Sequence, residues 1–435
     1  MTQAPQQRTV INLARGVLIN ALWVCLVNTA SAQIFTHDRG PKALTHLQSG
    51  LSAEQEELFF LGRSFTNVPW VEAPAATTAR DGLGPLFNAN TCVACHTQNG
   101  AGGGYGPQGE PPRSSVVQLH NFDKLQQAWK GDPIYGPQMS INGNRDVPFE
   151  GLYHIVWQPA AHDSRLSYPK PKFSQLNYGP LHADTHTQLI RAPALIGLGL
   201  LEQIPEAQIR AQADPQDLNG DGISGRTQSV WSYASKSLQL GRFGWKNTTA
   251  SVIDQSAKAA HLDMGLSNPL FTEENCTPTQ IECNQAFRSK TLDLPALRLQ
   301  AIAIYLSNLQ VPKPAGKHTQ GKATFNQLGC HNCHSNSYTL ANGQTIPAYT
   351  DLLLHDMGEA LTGEGVLARE WRTAPLWGLG LNQRQQQPAY LHDGRAKTLT
   401  EAILWHDGEA RNSREAFNFL PLAKQQQLIA FLESL

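Results

Sequence analysis

Two short cysteine motifs constrain this chain more than any other feature. They are Cys92-Val93-Ala94-Cys95-His96 and Cys330-His331-Asn332-Cys333-His334. The spacing has a chemical reason. Two thiols one helical turn apart can each add to one vinyl group along a porphyrin edge. The adjacent histidine then reaches the iron from one side of the ring. C-x-x-C-H is the attachment pattern of c-type haem, and two copies predict two covalently bound haems. A dithiol redox pair explains C-x-x-C but not the histidine that follows both times. A zinc site built from both pairs leaves those histidines unexplained and needs distant segments to converge.

The chain has 435 residues, enough for two or three domains. Its formal charge of −1 gives no basic footprint for nucleic acid. The 36 Gly and 27 Pro exclude a bundle of uninterrupted helices. Residues 1–32 read as a signal peptide. Arg8 and Arg15 precede an apolar run from Gly16 to Val27, broken by Asn20, and Ala30-Ser31-Ala32 offers a small-x-small cleavage site. The other reading is an N-terminal anchor, although the run is shorter than the ~20 residues a span needs. Cleavage near Gln33 predicts a soluble periplasmic product without a membrane span. Cys276 and Cys283 flank a loop containing Pro278, and in an oxidising compartment they read as a local disulfide.

The chain also repeats itself once. Each half has a helix leading toward its motif: Ser52-Ala53-Glu54-Gln55 opens one as a capping box, and Gly321 to Gly329 runs straight into Cys330. Downstream, Arg191-Ala192-Pro193-Ala194-Leu195 and its Gly-Leu-Gly-Leu tail match Arg372-Thr373-Ala374-Pro375-Leu376 and the same tail. Both halves end in an amphipathic helix, and a stiff Pro segment, Val311 to Gly316, joins them. A duplicated unit explains this. It predicts a mainly α fold of two cytochrome-c-like domains, 33–310 and 311–435, the first enlarged by long loop insertions.

The later motifs carry a family resemblance. The order C-x-x-C-H, Arg372-Thr373-Ala374-Pro375-Leu376, Tyr390-Leu391-His392-Asp393-Gly394-Arg395 and Leu399-Thr400-Glu401-Ala402 resembles the bacterial dihaem cytochrome c peroxidase superfamily. Four segments narrow the resemblance to its dihaem oxidoreductase family of peroxidase-like proteins. They are 217–226, Gly241-Arg242-Phe243-Gly244-Trp245-Lys246, Asp263-Met264-Gly265 and Trp405-His406-Asp407-Gly408-Glu409-Ala410. The resemblance spans roughly residues 50–435.

The resemblance implies roles. Cys92, Cys95 and His96 would hold the first haem, and Cys330, Cys333 and His334 the second. His406 resembles the distal ligand position of the second iron, with His392 a structural residue near the haem edge. Met264 is the candidate sixth ligand of the first iron, with His261 in reserve and Met357 ranked lower. His120, His154, His162, His182 and His186 are further candidates. Glu150 is the candidate acid–base residue by spacing. Trp371 and Trp377 lie near the segment where a relay between the haems would run. Asp217, Asn219 and Asp221 alternate like the opening of a calcium loop, although Gln228 stands where a bidentate Glu belongs. Thr373 and Pro375 resemble a second calcium pair. The implied activity is electron transfer from the C-terminal to the N-terminal haem. The partners are a small redox protein or quinol-linked donor and a small oxidant such as peroxide. A non-catalytic electron-transfer cytochrome and a dihaem oxygenase are the rival readings.

Overall fold

The computed structural model describes residues 1, 33–335, 337–365 and 367–435. Apart from Met1, the expected signal peptide, 1–32, lies outside the described residues. Among those described, no helix is long and apolar enough to cross a membrane.

Two pairs of crossed helices frame the molecule. Helix Ala53–Asn67 starts at a reciprocal cap: Gln55 N–H donates to Ser52 Oγ, and Ser52 N–H to Gln55 Oε1. It packs on helix Ala296–Ser307, and the contact is close because Gly62 has no side chain. A Cβ there would stand 1.9 Å from the Ala301 carbonyl oxygen. The second half repeats the device. Helix Thr319–Gln327 crosses helix Leu422–Ser434, and a Cβ on Gly321 would stand 2.1 Å from the Gln427 carbonyl oxygen.

Two main cores follow. One gathers Phe59, Trp70, Leu200 and Tyr305 but also takes Ile346, Leu352 and Trp377 from beyond the Pro segment. The other is built on Phe325, Trp405, Phe417 and Phe431 and takes Leu166 from the first half. The halves therefore share apolar side chains.

The expectation of a mainly α fold is not met. Helix accounts for 28% and strand for 19%, the strand spread over several small sheets. The insertion expected as loops supplies much of it. Strand Ser115–Asp123 alternates buried and half-buried residues, with Val117 and Leu119 inward, and lies between Ala128–Lys130 and Thr185–Arg191. Strands Gly151–Pro159 and Ser167–Leu176 form an antiparallel ribbon. Pro169 and Pro171 are tolerated there because the ribbon has two strands, each with a free edge. These strands close over a third core of Leu119, Tyr135, Met139, Tyr153 and Ile155. The duplicated helices dominated the sequence pattern, whereas the insertion has a period of two that only shows once its pairing is known.

Candidate functional site

Both cysteine motifs open onto one cavity of ≈ 850 Å³. The first motif is a single helical turn. Thr91 caps it, its Oγ1 accepting from Ala94 N–H at 3.1 Å, so Cys92 and Cys95 lie on one side. The second is a tighter turn following Gly329, whose φ of 78° suits glycine. Burial pushes the thiols of Cys92, Cys95 and Cys330 up to about 12, the Asp263 carboxylate adding to it at the first pair. A redox dithiol needs its thiolate favoured, and burial here works against the thiolate. Among the described residues, the two pairs do not converge on a common metal group, which removes the zinc alternative.

Three buried histidines share one arrangement. His96 Nδ1 lies 2.7 Å from the Pro193 carbonyl, His334 Nδ1 2.9 Å from that of Tyr349, and His406 Nδ1 2.7 Å from that of Ala402. A carbonyl only accepts, so each Nδ1 carries the proton and each Nε2 keeps its lone pair. Burial lowers the basicity of all three, His96 and His334 to about 4, so they stay neutral. His406 sits near enough to His334 to lower it further. These residues fit haem: two pairs of thiols on turns, neutral oriented imidazoles and a largely apolar cavity.

The other predicted residues divide. Met264 is buried at the end of helix Val252–Met264, part of the core and of the cavity wall. His261 stacks on Phe271 at 5.2 Å. Trp371 and Trp377 both line the cavity; Trp371 stacks on His392 at 3.6 Å and carries the Lys246 ammonium 3.9 Å from its ring centre. His120 reaches the cavity from strand Ser115–Asp123, with its buried Nε2 unpartnered among the described residues. Cys276 and Cys283 are joined by a disulfide with Cα atoms 5.8 Å apart.

Glu150 requires a correction. It is buried in the insertion, away from the cavity, with Ser140 N–H and the Gln280 amide donating to its two oxygens. A group shielded in this way has no access to a bound oxidant, and spacing along an insertion says little about where it folds.

Two places were expected to hold calcium. Asp217 accepts from Gly222 N–H, Asn219 from Asp221 N–H, and Asp221 from Ile223 N–H, so these oxygens organise their own turn. At the second place, the Thr373 carbonyl already accepts from the Thr350 hydroxyl and the Arg372 guanidinium. A guanidinium beside that oxygen disfavours a cation there.

Sequence reasoning missed a buried triad beside the second motif. His355 lies between Asp351, 2.8 Å from Nε2, and Glu409, 2.6 Å from Nδ1, and 3.8 Å from Cys333 Sγ. The two carboxylates hold its basicity well above that of a free imidazole, despite its burial. Nothing in the local sequence links Glu409 to His355.

Residues 181–435 match the family described as "Di-haem oxidoreductase, putative peroxidase". That is more than half of the chain, and the chain belongs to this family. The match covers the second motif, while the first precedes it. No curated protein matches the chain. Among solved structures it is similar to Kuenenia stuttgartiensis hydrazine synthase pressurised with 20 bar xenon. The identity is 13% and the TM-score 0.39, over 99% of this chain and 100% of that one. A likeness that weak carries no argument about function.

Proposed function

We propose that this protein is an exported, periplasmic dihaem c-type oxidoreductase of the peroxidase type, with an open first centre and a closed second one. Cys92, Cys95 and His96 would hold the first haem; Cys330, Cys333, His334 and His406 the second. When bound, the haems supply one-electron redox chemistry.

One comparison within the chain carries the reading. Helix Val252–Met264 is capped by Ser251, whose Oγ accepts from Asp254 N–H; helix Leu399–Leu404 is capped by Thr398, whose Oγ1 accepts from Glu401 N–H. Counted from these caps, the same positions face the cavity: Val252 and Leu399, Gln255 and Ala402, Ser256 and Ile403, Ala259 and His406. The eighth residue is thus an imidazole just past the end of its helix in one half and a methyl group inside its helix in the other. His406 can close the second iron's sixth position, whereas Ala259 cannot close the first.

Division of labour follows. A centre with two imidazoles exchanges electrons but offers no place for an oxidant, and an open centre offers one. Electrons would enter at the C-terminal half from a small redox protein or quinol-linked donor and move to the N-terminal half, where a small oxidant such as peroxide binds. Trp371, stacked on His392 in the cavity wall, lines that route. The Cys276–Cys283 disulfide suits an oxidising compartment.

The test uses protein made with a working haem-maturation system. Pyridine haemochrome assay after acid–acetone extraction should find two covalent haems per chain. The ferric spectrum should be half high-spin, and cyanide should titrate one equivalent. Two low-spin haems indifferent to cyanide and peroxide would leave only the electron-transfer cytochrome.

A further inference from the structure

The open position on helix Val252–Met264 has two unusual neighbours, and this inference rests on the open first centre proposed above. Lys258 precedes Ala259 directly, and Gln255 lies one turn earlier; all three line the cavity. The other cations in that wall are occupied. Lys130 pairs with Asp123 and Arg414 with Asp407. Arg191, Lys246 and Arg372 donate to main-chain carbonyls. Lys258 makes no hydrogen bond or ion pair among the described residues. Burial lowers the Lys258 ammonium below its usual range and Asp263 only partly offsets this; that carboxylate is already bonded by the Gln138 amide at 2.7 Å, and burial pushes it up to about 6.

Gln255 Oε1 accepts from the Thr249 hydroxyl at 2.7 Å. Its NH₂ then has no partner among the described residues. Two donors without acceptors share a helix with that methyl group, and all three line the cavity, whose wall is largely apolar.

We infer that Gln255 and Lys258 are a recognition pair for a small anion at the open side of the first centre. The ligand class is small anions, and hydroperoxide among the oxidants. An anion entering an apolar cavity loses its hydration and needs donors to replace it, and charge-assisted hydrogen bonds are the strong ones. A neutral nitrogen ligand gains nothing from them.

The experiment is optical titration of the ferric holoprotein with fluoride and cyanide, and with imidazole as the neutral control. Covalent haem content is checked in each variant. Lys258→Met and Gln255→Leu should each weaken fluoride binding about tenfold, the scale of a lost hydrogen bond to a charged group, with imidazole affinity unchanged. Lys258→Arg should restore most of the loss. Wild-type fluoride affinity in both variants overturns the inference, as does equal weakening of fluoride and imidazole. A low-spin first centre that becomes high-spin in Lys258→Met shows Lys258 to be a ligand, which also overturns it. If wild-type protein binds no fluoride and Lys258→Met leaves the spectrum unchanged, the open centre itself fails, and the inference with it.

Discussion

Ala259→His should close the first centre, and its consequences can be worked out from the second. His406 is oriented by donating from Nδ1 to the Ala402 carbonyl, four residues earlier, at 2.7 Å. A histidine at 259 would start from inside its helix rather than past the end as His406 does, but from a backbone position that lines the same cavity. The cost within the helix is small, about 0.5–0.7 kcal/mol for replacing alanine. The readable magnitude is stoichiometric. With one open centre per chain, the high-spin share of ferric haem should fall from one half to near zero, and the cyanide equivalents from one to near none. The reciprocal change, His406→Ala, should make both centres high-spin and raise the cyanide equivalents to two. The assays are ferric absorption and electron paramagnetic resonance on protein of verified haem content. If Ala259→His retains two haems and still titrates one equivalent of cyanide, the two helices do not occupy equivalent places. The division into an open and a closed centre would then lose its basis.

Two further outcomes test the scaffold. Burial pushes the Glu150 carboxyl from its usual 4.5 up to about 8, although the Ser140 and Gln280 donors favour its ionised form. Between those values the unfolded chain gives up a proton that the native protein keeps, so stability should fall as pH rises from about 4.5 to 8 and level off above. The loss is at most a few kcal/mol, at about 1.4 kcal/mol per pH unit. Glu150→Gln should flatten that slope in urea unfolding at pH 5 and pH 8; an unchanged slope rules Glu150 out as its source. Gly62→Ala places a methyl group 1.9 Å from the Ala301 carbonyl oxygen and should cost about 1–3 kcal/mol by forcing the two helices apart. A thermal midpoint equal to wild type means that the helices do not cross there.

The features readable along the chain were those whose chemistry is local. The motifs at 92–96 and 330–334, the capping box at Ser52 and the repeated Gly-Leu-Gly-Leu segments each depend on residues a few positions apart. Covalent spacing and helical period tie such residues together in any fold. The Ala259 and His406 equivalence was also within reach, since Ser251-x-x-Asp254 and Thr398-x-x-Glu401 mark both helix starts.

Other features depend on long-range packing, and for these the residue order was a poor guide. Glu150 stood at a plausible distance along the chain, yet the insertion folds as strands and buries it against Gln280. Asp351, His355 and Glu409 meet only because strand Leu354–Asp356 packs beside the turn that carries Glu409. The unpaired Lys258 becomes visible once the five other cations of the cavity wall have found their acceptors. The two C-x-x-C-H motifs are thus written in neighbouring residues, whereas the chemical character of the cavity comes from side chains that sequence keeps far apart and packing desolvates together.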